Sequence, residues 1–438
     1  MKLSINNKIF TDNTNELEKD NIFVVSKQNE KFKDIAINGG FELLNSSELK
    51  NYLDMSSIKI IGVTGTNGKT TTASTIYKIL LNLGYKVALQ GTRGFFINEI
   101  CVEDYSLTTP VQLGNFINIQ KAIQNSCQYF VMEVSSHAIE QNRIEGLSFA
   151  LKIHTNITRD HLDYHKTIEE YIRVKNLFLS DESKKLINID DKVVKFNPTN
   201  AFTYSLENSS NFKVLKYELK DNMNVEFLYE NKNYKFSTNM MGIFNIYNLI
   251  ASIAAVHITT NEKLENICKV VENFNSISGR MEIVSTKPLV IVDFAHTPDG
   301  MDEVLKSFPN KEIICVFGAG GNRDALKRPL MGEVASKYSK HIVVTSDNPR
   351  FEEPKKIIED ILNGIDDKSN VIVIEDRKEA LKKAISLAND KSVVLILGKG
   401  DESAQIIGDK KFDFSDKKEI FNILKYFQKW IILIKVSF

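Results

Sequence analysis

Apolar, β-branched runs alternate with amphipathic stretches over much of the chain, starting at the run KIIGV (59–63). After this run the pattern predicts a helix from Thr70 towards Gly84, the strand KVAL, a helix from Val111 to about Gln124 and the strand YFVMEV. Strands that alternate with helices are typical of a parallel sheet covered on both faces. A central α/β domain with a parallel sheet is therefore expected.

The pattern changes twice more towards the C-terminus. A more polar, strand-rich stretch runs from about 186 to 237 and precedes the apolar helix NIYNLIASIAAVHI. The strong runs LVIVDF, IICVFG, HIVVTS and VVLILG, with a weaker run VIVIED and helices between them, then predict a doubly wound, Rossmann-like domain. We expect an α/β protein of three domains: a small N-terminal α/β module (1–57), the central domain (58–278) and the C-terminal domain (279–438).

Composition narrows the classes of partner. The chain has 438 residues, and its 56 Lys and Arg balance 56 Asp and Glu, so no overall basic field attracts nucleic acid or an anionic membrane. Its 4 cysteines form no CxxC pair and suit a reducing cytoplasm. The N-terminus turns polar at once, unlike a signal peptide. The apolar C-terminal run KWIILIKVSF is too short to span a bilayer, and we expect an edge strand or a dangling end there.

The segment GVTGTNGKTTT (62–72) nearly matches a phosphate-binding loop, but Gly62 stands one position too early for the usual spacing. The segment follows an apolar strand and precedes a helix, so its backbone N–H groups can converge on phosphate oxygens. Lys69 would neutralise the β and γ phosphates, and Thr70 would bind Mg²⁺. The alternative is a glycine-containing turn that only caps the helix.

Two further motifs of the central domain carry candidate metal ligands. Glu133 ends the strand YFVMEV, a position that suits Mg²⁺ but that an ordinary exposed strand-end glutamate also explains. The segment HTNITRDHLDYH (154–165) gathers histidines and aspartates, and zinc is an alternative there. Because its spacing matches neither HExxH nor a Cys/His finger, hard-metal chemistry beside Mg²⁺–ATP is favoured. A single histidine there is more often a hydrogen-bonded structural residue, and only a link to Glu133 makes His161 a candidate ligand.

The following helices give weaker signals. Lys175 lies among apolar neighbours in TIEEYIRVKNLFL, and composition alone predicts a solvated helix residue. Asn245 and Asn248 stand one turn apart near a helix start, where they can present amides to one ligand or, for Asn245, cap the helix.

Charged residues recur at the strand ends of the last domain. DFAHTPDG and GAGGNRDALKRPLM open helices after strands, and SDNPRF ends a strand with Pro349 beside Arg350. Such positions face the ligand in doubly wound sheets, and a guanidinium fork matches a carboxylate. Structural turns alone would explain the glycines and Pro349 but not the charges.

Together, TGTNGKTTT, EVSSHAIEQNR, TNITRDHLDYH, GIFNIYN, GRME, DFAHTPDG, GGNRDALKRP, DNPR and GKGDE resemble the Mur ligase family in order from about residue 58 to 416. Ligases of this family carry the same offset of the phosphate loop. The resemblance implies a central P-loop ATPase-like parallel sheet and a cytoplasmic, ATP- and Mg²⁺-dependent ligase of peptidoglycan synthesis. Its expected substrates are UDP-N-acetylmuramoyl-L-alanyl-D-glutamate and meso-diaminopimelate, because DNPR accompanies diaminopimelate rather than lysine in this family.

The resemblance also implies a role for individual residues. Binding of ATP falls to Gly65, Thr66, Asn67, Gly68, Lys69, Thr70 and Thr71, and to Asn245, Asn248, Arg280, Asp293 and His296. One metal ion is assigned to Thr70 and a second to Glu133, His161 and Lys175, the last as a carbamylated lysine. Lys69, Glu133, His161 and Lys175 form the catalytic set. The nucleotide-sugar peptide is assigned to Thr108, Thr109, Ser135, Gln141 and Arg143. Diaminopimelate is assigned to Arg323, Asp347, Asn348, Arg350, Gly398 and Glu402.

The chain departs from the family pattern in places. The N-terminal module is short, DNT stands at 12–14 where DSR is common, Leu107 replaces an Asn, and Asp401 replaces a His in GKGDE. Three alternatives therefore stand beside the expected ligase. They are the same ligation with lysine or another amino acid, a folylpolyglutamate-synthetase-like ligase, and a nucleotide-gated P-loop binding module. We expect a monomer without stable membrane insertion.

Overall fold

The computed structural model describes residues 1–104, 107–219 and 222–436, with side chains described as far as Tyr426. It divides into two compact units. The first contains residues 1–157, 167–238 and 245–274, and the second contains residues 158–166, 239–244 and those from 275 onward. The division into three domains therefore stays a prediction.

A small sheet opens the first unit. Its strands lie in the order β1-β2-β3-β4, with β1 and β2 antiparallel and the other pairs parallel. The elements are β1 (Lys2–Ile5), β2 (Lys8–Thr11), β3 (Asn21–Val25), α1 (Lys33–Asn38) and β4 (Glu42–Asn45). Leu3 and Phe10 of this sheet belong to the same hydrophobic cluster as Phe116 and Ile119. The N-terminal module thus shares its core with the central part of the chain.

A larger sheet forms the body of the first unit. Among the described residues its order is β15-β14-β13-β12-β11-β10-β5-β9-β6-β7-β8. The strands from β13 to β6 are parallel, and antiparallel strands extend both edges. The strands are β5 (Lys59–Thr64), β6 (Val87–Gly91), β7 (Gly94–Ile97), β8 (Ile100–Asp104), β9 (Tyr129–Glu133), β10 (Phe149–His154), β11 (Lys185–Asn188), β12 (Ala201–Ser205), β13 (Phe212–Leu219), β14 (Met223–Tyr229) and β15 (Lys232–Thr238).

Helices accompany this sheet, between the strands from β5 to β11 and after β15, although among the described residues none lies between β11 and β12 or between β12 and β13. They are α2 (Lys69–Asn82), α3 (Gln112–Gln124), α4 (Ser136–Glu140), α5 (Leu162–His165), α6 (Ile168–Leu177), α7 (Ile243–Thr260) and α8 (Leu264–Val271), of which α5 belongs to the second unit. Helix α7 is long and apolar enough to cross a membrane by composition, but 67% of it is buried inside the protein. Core helices of globular proteins share that property, so α7 is weak evidence for a membrane span.

The second unit is doubly wound. Its sheet has the order β16-β17-β21-β18-β19-β20, parallel except for β16, and a separate hairpin pairs β22 with β23. The strands are β16 (Glu282–Thr286), β17 (Leu289–Asp293), β18 (Glu312–Phe317), β19 (Ser339–Val344), β20 (Val371–Val373), β21 (Ser392–Leu397), β22 (Ala404–Ile407) and β23 (Lys410–Asp413). The helices are α9 (Pro298–Leu305), α10 (Lys327–Tyr338), α11 (Pro354–Leu362), α12 (Arg377–Ser386) and α13 (Asp416–Val436).

Burial on both faces of this sheet explains its uninterrupted apolar runs. Leu395 packs in the cluster on one face, and Ile396, its neighbour in β21, packs in the cluster on the other. Successive strand residues point to opposite faces, so both positions must be apolar. The predicted α/β fold and its strong strands are confirmed.

The expectation for the C-terminal run is wrong. Residues up to Val436 continue α13, a helix of 21 residues, instead of forming a strand or a dangling end. No proline or glycine separates the run from the helical stretch before it, so nothing in the backbone ends the helix earlier. Ser437 and Phe438 lie outside the described residues.

Candidate active site

The phosphate-binding loop joins β5 to α2 and begins at Gly65, not at Gly62. Gly62 lies within β5, where an added Cβ would lie 2.6 Å from the Phe149 ring. It is therefore a strand glycine that makes room for an aromatic side chain. Gly68, directly before α2, has φ +83, a left-handed conformation that favours glycine. This arrangement explains why the spacing of the segment departs from the usual motif.

Residues 155 and 156 hold this loop in place. The Thr66 amide donates to the Asn156 carbonyl (2.7 Å), and the Asn67 amide donates to Asn156 Oδ1 (2.9 Å). Asn67 in turn accepts from Thr155 Oγ1 (2.6 Å) and Asn156 Nδ2 (3.1 Å) through its carbonyl. Thr155 and Asn156 were not among the predicted site residues. Their only signal was their place in the segment HTNITRDHLDYH, immediately after a buried strand.

Two lysines lie at the loop. Lys69 Nζ donates to the carbonyls of Gly65 and Thr66, each at 2.8 Å, and Lys175 Nζ donates to the Gly65 carbonyl, also at 2.8 Å. Lys175 is only 1% exposed and lies over the Tyr171 ring at 5.0 Å. The solvated position that composition predicts for Lys175 is therefore wrong. Its α6 helix carries it to the loop, and periodicity gave no sign of this.

Glu133 ends β9, as predicted, and is 2% exposed, so the alternative of an exposed strand-end glutamate is wrong. Its Oε2 accepts from Thr70 Oγ1 (2.9 Å), and its Oε1 accepts from the Thr92 amide (2.9 Å). A Cβ on Gly91 would lie 2.2 Å from Oε1, so this position has no room for a side chain. Gly91 and Thr92, which the sequence did not single out, fix the carboxylate beside the loop.

The residues assigned to the nucleotide-sugar peptide form one network with Glu133. Thr109 Oγ1 donates to the Glu133 carbonyl (2.9 Å) and accepts from the Ser135 amide (3.0 Å). Arg143 donates to the Thr109 carbonyl (2.8 Å) and, through Nε and Nη2, to Gln141 Oε1 (2.9 and 2.7 Å). The Thr108 hydroxyl lies 3.0 Å from that of Thr92. The structure thus brings all five predicted residues together.

Asn248 also lies at the loop. A Cβ on Gly68 would be 2.4 Å from Asn248 Oδ1, and Thr72 Oγ1 donates to the same oxygen (3.3 Å). Asn248 Nδ2 donates to Asn245 Oδ1 (3.0 Å). Because α7 begins at Ile243, Asn245 lies inside the helix and is not its N-cap residue.

A second group of predicted residues lies in the second unit, at the end of β17. Asp293 accepts from the amides of Met281 and Ala295, each at 2.7 Å, and the Arg280 guanidinium lies over the Phe294 ring at 4.1 Å. Burial raises the pKa of Asp293, against the lowering effect of Arg280. Burial, together with Lys327, lowers the pKa of His296 to about 4, so this imidazole is neutral near pH 7.

His161 belongs to the same unit and has φ +55. Its amide donates to Asp160 Oδ1 (2.9 Å), and its Nε2 lies 3.3 Å from Asp160 Oδ2. Burial would raise the pKa of Asp160, but His161, His296 and Lys327 together lower it to about 2. Glu133 belongs to the first unit, so the pairing of His161 with Glu133 on one metal stays a prediction.

The residues assigned to the incoming amino acid meet where β19 and β21 end. Arg350 has φ +52, its amide donates to the Ile406 carbonyl (3.1 Å), and its Nη1 donates to the Gly321 carbonyl (2.9 Å). Burial lowers the pKa of the Arg350 guanidinium, and the neighbouring Arg323 lowers it further. Arg350 Nη1 and Arg323 Cγ lie 3.0 and 3.7 Å from the Cβ position of Gly320, and two neighbouring cations favour an anionic ligand. Gly398 leaves room for Asp347, whose Oδ2 would lie 2.7 Å from an added Cβ.

Comparisons with known families match the two large parts of the chain. The model of the Mur ligase middle domain matches residues 63–256, and that of the Mur ligase glutamate ligase domain matches residues 279–400.

Curated relatives match nearly the whole chain. A UDP-N-acetylmuramoyl-L-alanyl-D-glutamate–2,6-diaminopimelate ligase of Helicobacter pylori is 48% identical over 94% of this chain and 94% of its own. The enzyme of the same name from Aquifex aeolicus is 42% identical over 84% of this chain and 77% of its own.

Solved structures agree on the fold. The structure of a UDP-N-acetylmuramoyl-L-alanyl-D-glutamate–2,6-diaminopimelate ligase has a TM-score of 0.66 at 28% identity, covering 96% of this chain and 95% of its own. A folylpolyglutamate synthase of Mycobacterium tuberculosis has a TM-score of 0.65 at 14% identity, covering 84% of this chain and 92% of its own, which shows similarity of fold alone.

Proposed function

The chain belongs to the Mur ligase family, and from that premise we infer that it is an ATP-dependent amide ligase of peptidoglycan precursor synthesis. It adds diaminopimelate to UDP-N-acetylmuramoyl-L-alanyl-D-glutamate. The observation that carries this conclusion is the 48% identity, over nearly the full length of both chains, to a ligase so named. The meso isomer is the finer proposal, and the segment DNPR at 347–350, which accompanies diaminopimelate rather than lysine in this family, supports the choice of amino acid.

The chemistry begins with activation of a carboxylate, which is a poor acylating group. The terminal D-glutamyl carboxylate attacks the γ-phosphorus of ATP, and the bond to the bridging oxygen breaks, so that an acyl phosphate and ADP form. The free amine of diaminopimelate adds to the acyl carbonyl and loses a proton. The tetrahedral intermediate then expels inorganic phosphate and leaves the amide.

The first step needs two anions to approach each other, and the loop is built to assist it. Lys69 Nζ hydrogen-bonds to two loop carbonyls at 2.8 Å, within reach of any phosphate that the loop amides bind. We assign to it the neutralisation of the β and γ phosphates. The Thr109, Ser135, Gln141 and Arg143 network supports a place for the nucleotide-sugar peptide next to Glu133.

The residues beside the loop suit Mg²⁺. Thr70 Oγ1 and Glu133 Oε2 are oxygen donors 2.9 Å apart, and Mg²⁺ typically takes one or two such ligands with phosphate and water oxygens. A bound Mg²⁺ offsets the negative charge of the phosphates. A second Mg²⁺ on Glu133, His161 and carbamylated Lys175 is a further proposal. Lys175 as an ammonium donates to Gly65, so it becomes a ligand only when modified. Intact-protein mass measurement detects that modification.

The surroundings of the enzyme are proposals too. We place the ligase in the cytoplasm, where its nucleotide substrates occur, as a monomer that binds neither nucleic acid nor membrane. Balanced charge, with 56 basic and 56 acidic residues, supports the proposal that it binds neither nucleic acid nor an anionic membrane.

The test supplies ATP, Mg²⁺, the nucleotide-sugar dipeptide and one amino acid from a panel, and follows phosphate release and the mass of the product. We expect tripeptide product and phosphate only when both the nucleotide-sugar dipeptide and the amino acid are present. The rate with meso-diaminopimelate should exceed the rate with lysine. Preference for lysine would change the substrate assignment. Phosphate release in the absence of both the dipeptide and the amino acid would indicate a nucleotide-gated module and overturn the ligase assignment.

A further inference from the structure

Lys399 is a buried lysine that the assigned roles leave out. It follows Gly398 at the end of β21, and its side chain is 0% exposed, which is rare for lysine. Its ammonium donates to Glu402 Oε2 (2.8 Å), to the Ala404 carbonyl (2.7 Å) and to Asn348 Oδ1 (3.1 Å). All three N–H donors of the side chain are therefore used within the protein.

Its two side-chain acceptors also contact each other. Asn348 Nδ2 donates to Glu402 Oε2 (2.9 Å), and Asn348 Oδ1 accepts from the Ile406 amide (2.9 Å) as well as from Lys399. The Asn348 amide thus has one orientation, because a flipped amide would turn its NH₂ group towards the ammonium. Lys399, Asn348 and Glu402 form a closed triangle, which we call the Lys399 triangle.

The triangle leaves one carboxylate oxygen for a ligand. Glu402 Oε2 accepts from both Asn348 Nδ2 and Lys399 Nζ, whereas Oε1 accepts no hydrogen bond from the described residues. The Glu402 side chain is 31% exposed, so solvent and ligands reach it. A carboxylate held by one oxygen and open at the other suits the ammonium group of an amino acid.

We propose that Lys399 is a positioning residue for the amino-acid substrate. It orients Glu402 Oε1 to accept an ammonium group of diaminopimelate, and it fixes the amide of Asn348 in the same pocket. Lys399 is too deeply buried to contact the substrate, so it acts through these two neighbours. This proposal rests on the proposed ligase function.

The test compares Lys399→Met, which keeps the length of the side chain but removes its charge, with Lys410→Met. Lys410 is exposed on β23 and serves as the matched control. For Lys399→Met we expect the KM for diaminopimelate to rise roughly 10- to 100-fold, the scale of a hydrogen bond to a charged group. The KM for ATP and kcat should stay within about threefold, which is the scale of one neutral contact. Lys410→Met should match the wild type.

A double variant separates positioning from general support of the fold. If Lys399 acts through Glu402, Lys399→Met combined with Glu402→Gln should raise the KM for diaminopimelate by less than the product of the single effects. The proposal would be overturned if the double variant raised the KM by the full product of the single effects. It would also be overturned if Lys399→Met lowered kcat and raised the KM for ATP as much as it raised the KM for diaminopimelate. If Lys399→Met does not fold, Lys399→Gln replaces it, and its KM values decide in the same way.

Failure of this proposal differs from failure of the function. Wild-type protein that forms no product from the three substrates would refute the ligase assignment itself. An active wild type with an unchanged KM in Lys399→Met would refute only the role of Lys399.

Discussion

Lys69 and Lys175 donate to the same oxygen, since each side-chain nitrogen lies 2.8 Å from the Gly65 carbonyl. Two ammonium groups on one acceptor repel each other, and either an anion bound at the loop or the proposed carbamylation of Lys175 reduces that repulsion. The helices that carry them start far apart in the chain, at residues 69 and 168. The shared acceptor therefore marks the point where polyphosphate is expected to bind.

The first prediction concerns Lys69. Replacing Lys69 with Met should lower kcat/KM by about 100-fold or more, because a preorganised cation at the developing charge is lost. Steady-state kinetics with ATP varied measures this loss. Lys78→Met, on the exposed face of the same helix, is the control and should retain full activity. Equal activity of the two variants would remove Lys69 from the catalytic set.

Gly68 should not accept a side chain. An alanine there adopts a left-handed backbone at φ +83 and places its Cβ 2.4 Å from Asn248 Oδ1. Gly84→Ala is a matched control, because Gly84 has φ +88 and no atom within 4 Å of an added Cβ. Both variants should lose about 1 kcal/mol of stability from backbone strain. Only Gly68→Ala should also lose ATP affinity, measured by calorimetry, and equal affinities would contradict the assigned contact.

Gly91 should control the carboxylate of Glu133. In Gly91→Ala the new methyl group would meet Glu133 Oε1, which lies 2.2 Å from the Cβ position. A displaced ligand typically costs on the order of 100-fold in rate, so kcat should fall and the Mg²⁺ concentration for half-maximal activity should rise. Titration of activity with Mg²⁺ measures both. Glu133→Gln should need a raised Mg²⁺ concentration, as Gly91→Ala does. A titration of Gly91→Ala that matches the wild type would argue against Glu133 as a ligand.

Arg350 should determine the affinity for the amino acid. Arg350→Gln removes a guanidinium that lies beside Arg323 in a pocket suited to a carboxylate. We expect the KM for diaminopimelate to rise roughly 10- to 100-fold, as for loss of a charge-assisted hydrogen bond, with the KM for ATP unchanged. Lys356→Gln, exposed on α11, is the control for charge alone. No change in Arg350→Gln would refute its assigned role.

His154 should make stability depend on pH. Burial lowers the pKa of His154 below its ordinary 6.5, although its partner Asp191 at 2.7 Å raises it. The unfolded chain therefore binds more protons than the folded one below about pH 6.5, and stability falls as pH falls through that range. The free energy of unfolding, measured by urea between pH 7 and pH 5 (about the range where an ordinary histidine titrates), should decrease more steeply in the wild type than in His154→Gln. Parallel slopes would mean that His154 protonates equally in both states.

Much of this fold follows from the order of residues along the chain. Apolar β-branched runs predict the strands of both parallel sheets, since strands covered on two faces need apolar residues at successive positions. The strand before Gly65 and the helix after Gly68 predict the phosphate loop, and Glu133 was expected at a strand end. These features depend on local periodicity and on turn chemistry, which neighbouring residues determine.

Other features were decided by tertiary structure. Lys175 looked like a surface residue, yet folding brings it to Gly65, 110 positions earlier in the chain. Gly91 and Thr92 orient Glu133, and Lys399 orients Asn348, through contacts between separate strands. Local periodicity predicts which face of a helix or strand is buried. It does not predict which distant side chain packs against that face. The sequence thus determined the elements and the loop, and packing between distant segments decided which charged groups share a site.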